Sequence, residues 1–234
     1  NNVNMLQTGG TVVPYVITDT GAQEVGWYGP TWTQAKIFTT LTDDVLSRSY
    51  GNLLEQTFAN QNRNSLDAAI DFNEAVAEQS AIDSYFPEDS SSLQRQLRMV
   101  AKAIASQSTL GQNRQIFFVS HFGWDNHDEL VNNQANNLST ISQALKSFQD
   151  AIDGSGMTDN VVTFTASDFA RTLSSNGRGS DHAWGGNQII MGGNVVGGRM
   201  HGHYPQSLSN PEAPASMGSF SLDTGRGRLI PTTS

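Results

Sequence analysis

The residue types able to do chemistry crowd into the second half of this 234-residue chain. All five histidines fall in three short segments, His121-Phe-Gly-Trp-Asp-Asn-His-Asp128, Ser180-Asp-His-Ala-Trp184 and His201-Gly-His203. A fourth polar segment, Ser167-Asp-Phe-Ala-Arg171, adds a carboxylate and a guanidinium. Imidazole and carboxylate without thiolate form a donor set for zinc, manganese, iron or another divalent ion, whereas carboxylates alone favour calcium or magnesium. Asp125 and His127, two residues apart in a loop, can face one ion. The adjacent pair Asp181 and His182 needs a bend to converge, and Gly177, Gly179, Gly185 and Gly186 around it permit one. Singly, an Asp-x-His on a loop is ordinary surface, and His201 and His203 read equally well as strand residues on an exposed face. Together at one sheet edge, the segments read as a polar site.

The elements that must position these residues can be read from periodicity. Gln115–Ser120 and Val161–Ala166 are short continuous apolar runs, as buried parallel strands are. Between them, residues 128–153 place Leu130, Leu138, Ile141, Leu145, Phe148 and Ile152 on one helical face, ended by Gly154-Ser-Gly156. That is a βαβ unit, expected to cross over right-handed. In open α/β sheets ligands bind beyond the carboxyl ends of the strands, where His121–Asp128 and Ser167–Arg171 follow. A further strand is expected at Gln188–Met191.

Upstream, residues 1–33 read as an irregular or β-rich lead-in, with Pro14 confining Thr11–Ile17 to an edge. Residues 34–84 read as helical, first with Ile37, Leu41, Val45 and Leu46 on one face, later with Leu66, Ala69, Ile70, Asn73 and Ala77 in step. A break at Tyr85–Ser90 precedes a helix carrying Leu93, Leu97, Val100 and Ile104, with Asp89 or Ser90 as its cap. Its Arg95, Arg98 and Lys102 lie off the apolar stripe and read as a solvated face. The expected organisation is a lead-in and helical segment over 1–88 and an α/β core carrying the site over 89–234.

Composition narrows the function. Thirteen basic against 22 acidic residues give a net charge of −9, which argues against nucleic acid as partner, since duplex binders need a basic stripe. No apolar run approaches the ~18 residues of a membrane span. The absence of cysteine excludes disulfides, thiolate metal sites and thiol catalysis. Ten arginines against three lysines, with an acidic balance, is a composition common among exported bacterial proteins. The opening Asn-Asn-Val-Asn, without an initiator Met, and the closing Gly/Arg-rich loop read as those of a piece of something longer.

The chain resembles the exported bacterial family called domain of unknown function 1501, a branch of the alkaline-phosphatase/sulfatase-like superfamily. The resemblance rests on Leu93-Gln-Arg-Gln-Leu-Arg-Met-Val-Ala101, Arg114–Ser120, Gly123-Trp-Asp-Asn-His-Asp128, Phe164–Thr172 and Gly179-Ser-Asp-His-Ala-Trp-Gly185. Met191-Gly-Gly, Gly197-Gly-Arg199 and Gly225–Thr233 continue it. It implies a doubly wound, alkaline-phosphatase-like α/β sheet, incomplete at both termini in this chain. It also implies twin-arginine export to the periplasm or beyond, and a divalent metal, whether zinc, manganese, iron or calcium. By position, Asp125, His127, Asp181 and His182 become the metal ligands. Asp168 becomes a further ligand or an acceptor orienting a histidine, and Arg171 an anion clamp. The chain departs from the family in having Ala183 after Asp-His where glycine is usual, and Asn187 and Gln188 where histidine is frequent. The early strand that carries the superfamily's nucleophile and a first metal-binding Asp has no counterpart here.

The expected function is a metal-dependent hydrolase acting on a small phosphate or sulfate ester. The alternative is a non-catalytic exported protein keeping the fold, as a homo-oligomer or component of a surface assembly. A third reading, a carbohydrate-binding module, would use Trp27, Trp32, Trp124 and Trp184; core aromatics are the plainer account of these residues.

Overall fold

The computed structural model describes residues 15–172, 175–183 and 185–201. Residues 11–14 of the expected edge strand, Trp184, His203 and the closing Gly225–Thr233 motif lie outside the described residues. The chain is mixed α/β and divides into two compact units, Asn1–Ser120 and His121–Ser234.

In the first unit a two-residue hairpin pairs β1 (Ile17–Thr18) with β2 (Gly21–Ala22). Two helices follow, α1 (Thr33–Ser47) and α2 (Leu53–Ala77). Asn73, which sits in the apolar register of α2, reads the hairpin as a neighbouring strand would. Its Oδ1 accepts from the Ala22 N–H at 2.8 Å and its Nδ2 donates to the Ala22 carbonyl at 3.0 Å. A Cβ on Gly21 would meet that Oδ1 at 2.5 Å. After a 3₁₀ turn at Ser80–Tyr85 comes α3 (Ser92–Ala105). Its cap is Ser91 rather than Asp89 or Ser90, because Ser91 and Gln94 form a reciprocal capping box. The Ser90 hydroxyl instead donates to the Pro87 carbonyl and closes the preceding turn.

The apolar stripe of α3 is buried as expected, and Ser106 donates to the Ala75 carbonyl, fastening the helix end to α2. Its basic face is not merely solvated. Lys102 pairs with Asp83 at 2.8 Å and Arg95 with Asp19 at 2.8 Å, tying the 3₁₀ turn and the hairpin to the helix. Helix α1 departs from expectation: Ala35 is buried while Ile37, Leu41 and Val45 are exposed. Residues 115–120 form no strand among the described residues, and Phe118 is exposed.

The second unit opens with the loop 121–129 and continues into α4 (Leu130–Gly154), whose Ala144, Phe148, Ala151 and Ile152 are buried. The strands then pair antiparallel. β3 (Thr163–Phe164) pairs with β6 (Ile190–Met191), and β4 (Ala170–Arg171) with β5 (His182–Ala183). The parallel βαβ pairing expected around α4 is therefore not found among the described residues. The run at 115–120 makes no ladder there, and β3 takes its partner from downstream. No helix among the described residues is long and apolar enough to cross a membrane.

Candidate metal centre

Three pieces of the second unit build the site. The β4–β5 ladder sets Arg171 directly opposite His182. Directly paired residues of an antiparallel ladder project from the same face, so the two side chains reach the same space. The loop 123–126 supplies Asp125. Gly123 adopts φ +96, and its carbonyl accepts Asn137 Nδ2 of α4 at 2.6 Å, while Asn126 N–H turns back to the Trp124 carbonyl at 3.0 Å. The third piece, residues 175–180, clamps the first two together. Asn176 Oδ1 accepts the N–H groups of Arg178 and Gly179, and its Nδ2 donates to the His127 carbonyl at 3.1 Å. Gly179 packs so tightly on this loop that a Cβ there would lie within 2.6 Å of the His127 carbonyl group and the Asn126 oxygen.

These contacts bring three nitrogens to one oxygen, two of them, from Arg171 and His182, in hydrogen bonds. His182 Nε2 lies 2.8 Å, His127 Nδ1 3.0 Å and Arg171 NH1 2.9 Å from Asp125 Oδ1. An ionised carboxylate only accepts, so His182 carries a proton on Nε2, the nitrogen hydrogen-bonded to Asp125. The bond from His182, with that from Arg171, holds the Asp125 carboxyl below its usual range. The two imidazoles lie 4.9 Å apart, and Phe169 stacks flat on His182 at 3.9 Å. The side chains of Asp125, His127 and His182 are 56%, 50% and 48% exposed, so the group is open on one side to solvent.

Asp125, His127 and His182 offer three ligand atoms that lie within 4.8 Å of one another, and the group could hold a metal ion. The residues fit such an ion in kind: one carboxylate oxygen and two imidazole nitrogens suit zinc, manganese or iron. Their N–O separations fall a few tenths of an ångström short of the ~3.4 Å edge of a tetrahedral zinc site, so loading calls for a slight opening.

The other expected site residues are not in this group. Asp181 precedes His182 on the β5 edge, where adjacent residues point to opposite faces, and its carboxylate takes Asn176 Nδ2 at 3.3 Å. Asp168 is exposed and is not part of the group. His121 packs edge-on against Trp124 at 5.9 Å, and His201 Nε2 faces the Val196 carbonyl at 3.2 Å. Trp27 packs against Phe38 at 5.7 Å in the first unit. Spacing alone does not mark Asn176 or Ser180 as site residues, although the glycine density of 177–186 marks a tight loop.

Fold and site thus define a mixed α/β protein with a solvent-open Asp/His/His group backed by arginine. The family profile described as "Protein of unknown function (DUF1501)" matches residues 33–221, and the chain belongs to that family. Neither curated proteins nor solved structures give a match to it.

Proposed function

We propose that the protein is an exported, metal-dependent hydrolase of phosphate or sulfate esters, built on the doubly wound sheet of the alkaline-phosphatase-like superfamily. The observation that carries this reading is the convergence of His127 and His182 on Asp125, with Arg171 behind it. A divalent ion, when bound, supplies Lewis acidity toward the ester oxygens and acidifies a bound water. The chain's residues do the rest. His127 and His182 contribute neutral donors in the tautomers that carry the proton on the outward nitrogen, Asp125 contributes the negative charge, and Phe169 fixes the His182 ring. The exposed side of the group is where an ester would approach, as hydrolytic centres keep one position open. Export by the twin-arginine route to the periplasm or the exterior belongs to this reading, through the family resemblance.

A second reading is favoured by one feature: Asp168 and Asp181 stand outside the group, so the described residues gather ligands for a single ion. A non-catalytic exported protein, retaining one structural ion within a homo-oligomer or surface assembly, would look like this. Elemental analysis after dialysis against a weak chelator, followed by assays on aryl phosphates and aryl sulfates, separates the two. Stoichiometric divalent metal with turnover supports the hydrolase. Metal without turnover, in a protein that light scattering shows to be assembled, supports the structural reading, and a folded protein without metal sinks both.

A further inference from the structure

We propose that Arg171 is a positioning residue, which fixes the rotamer of Asp125 so that Oδ1 stays between the two imidazoles. This inference rests on the reading of Asp125 as a metal ligand and gives Arg171 a different task from holding the anion. All three guanidinium nitrogens are committed inside the protein. NH1 donates to Asp125 Oδ1 at 2.9 Å, Nε to Ser180 Oγ at 3.1 Å, and NH2 to the Ser180 carbonyl. Clamping phosphate or sulfate takes two parallel N–H groups on one edge of the fork, and both usable edges are engaged. The side chain is only 15% exposed, against 56% for Asp125.

The backbone of Arg171 is equally constrained. Its N–H donates to the Gly185 carbonyl at 3.3 Å and its carbonyl accepts the Gly185 N–H at 2.9 Å. A guanidinium held at both ends is a rigid strut. Asp125, by contrast, sits on an exposed loop, where a carboxylate without a partner samples several rotamers. The chain Ser180–Arg171–Asp125 removes that freedom. It starts two residues before His182, so one strand pair delivers a ligand and also orients the other ligand. Ser180 is buried, which keeps water from competing at the base of the strut.

The test compares Arg171→Lys, Arg171→Gln and the milder Ser180→Ala, with Arg178→Gln of the neighbouring Arg178–Asp128 pair as control. Two quantities are read: zinc affinity by titration calorimetry, and the imidazole tautomers of the metal-free protein by long-range proton–nitrogen NMR. His182, hydrogen-bonded to Asp125 through Nε2, reports directly on a fixed Asp125 by the chemical shift and protection of that ring N–H. Positioning predicts that Lys and Gln both lose the His182 Nε2–H hydrogen-bond signature and weaken zinc by about 10- to 100-fold, the usual cost of losing a ligand's orienting partner. Ser180→Ala shifts both readouts less in the same direction, and Arg178→Gln moves neither. If Lys is neutral and Gln tightens zinc, Arg171 acts by charge alone and the proposal is wrong. It is also wrong if both variants keep tautomers and zinc while the zinc-loaded protein loses inorganic phosphate. Should the parent protein bind no zinc, the hydrolase reading fails by itself, and the tautomer comparison still decides the role of Arg171.

Discussion

Each unit of the molecule contains an aspartate whose Oδ1 collects several donors, one of them arginine, and the two clusters differ in a single chemical respect. In the first unit Asp43 Oδ1 accepts from Tyr28 Oη at 2.6 Å and from Arg63 NH2 at 2.6 Å, while Arg63 NH1 donates to the Tyr28 oxygen at 2.8 Å. This closed triangle ties the loop before α1 to both helices. In the second unit the groups around Asp125 are Arg171 and two imidazoles, of which His182 is hydrogen-bonded to it. A phenol and a guanidinium keep their protons at neutral pH, so the Asp43 cluster can only be a tie. A neutral imidazole can carry its one proton on either ring nitrogen, and the tautomer with the proton outward presents a lone pair to the cluster. The same geometry becomes a ligand set only because histidine stands where the other unit has tyrosine.

The strongest way to break that contrast is His182→Ala. It removes one of three ligands, so divalent-metal affinity should fall by more than about 100-fold, beyond the cost of losing an outer partner alone. Asp43→Ala should leave metal affinity unchanged. Titration calorimetry on the two variants, each first checked for folding by circular dichroism, makes the comparison. Equal affinities in both variants would mean that the second unit's cluster is also just a tie.

A smaller effect is expected from Gly179→Ala. Gly179 does not have positive φ, so the added methyl acts by collision with the backbone around His127 rather than by strain in its own dihedral. Backbone atoms cannot step aside as a flexible side chain can. Overpacking of this kind costs about 1–3 kcal/mol, and here it should also push His127 away from Asp125. A lowered melting temperature together with weakened metal binding is the expected pair of results. Lowered stability with unchanged metal affinity would show that the 175–180 clamp does not position His127.

What the sequence could disclose follows from how local each signal is. Asp125 and His127 were visible because two ligand types lie two residues apart on a glycine-flanked loop. His182 was visible for its type, but its separation from Asp181 depends on β5 being extended, and the surrounding glycines suggested a bend. The interior stripe of α3 followed helical period, as did the existence of α1, α2 and α4. The apolar runs at 115–120 and 161–166 suggested strands, yet apolar content does not say which partner a strand takes or in which direction. The carboxylate-orienting work of Arg171, Ser180 and Asn176 lies in contacts across up to 49 positions, and no spacing rule reaches that far.

The subtlest separation of the two clusters is by pH, with Asp43→Asn. The Tyr28 hydrogen bond, followed by Arg63, holds the Asp43 carboxyl below its usual value, so the unfolded chain binds that proton at higher pH than the folded one. The stability it contributes is therefore complete above the ordinary carboxylate range and is lost as pH falls through the lowered folded value. Tyr28 moves the opposite way: burial, then the Asp43 bond, raises its phenol, so its contribution persists through neutral pH and is lost only as pH rises through that raised value. Asparagine keeps an acceptor for both donors but gives up the charge. With Asp43 about half exposed, the difference at pH 7 should be about 1 kcal/mol. The melting-temperature gap between parent and Asp43→Asn should hold steady down to pH ~5 and close below pH ~4, as the parent carboxylate takes up its proton. A gap that stays constant to the lowest pH would mean that the charge on Asp43 contributes nothing, and that the triangle holds by neutral hydrogen bonds alone.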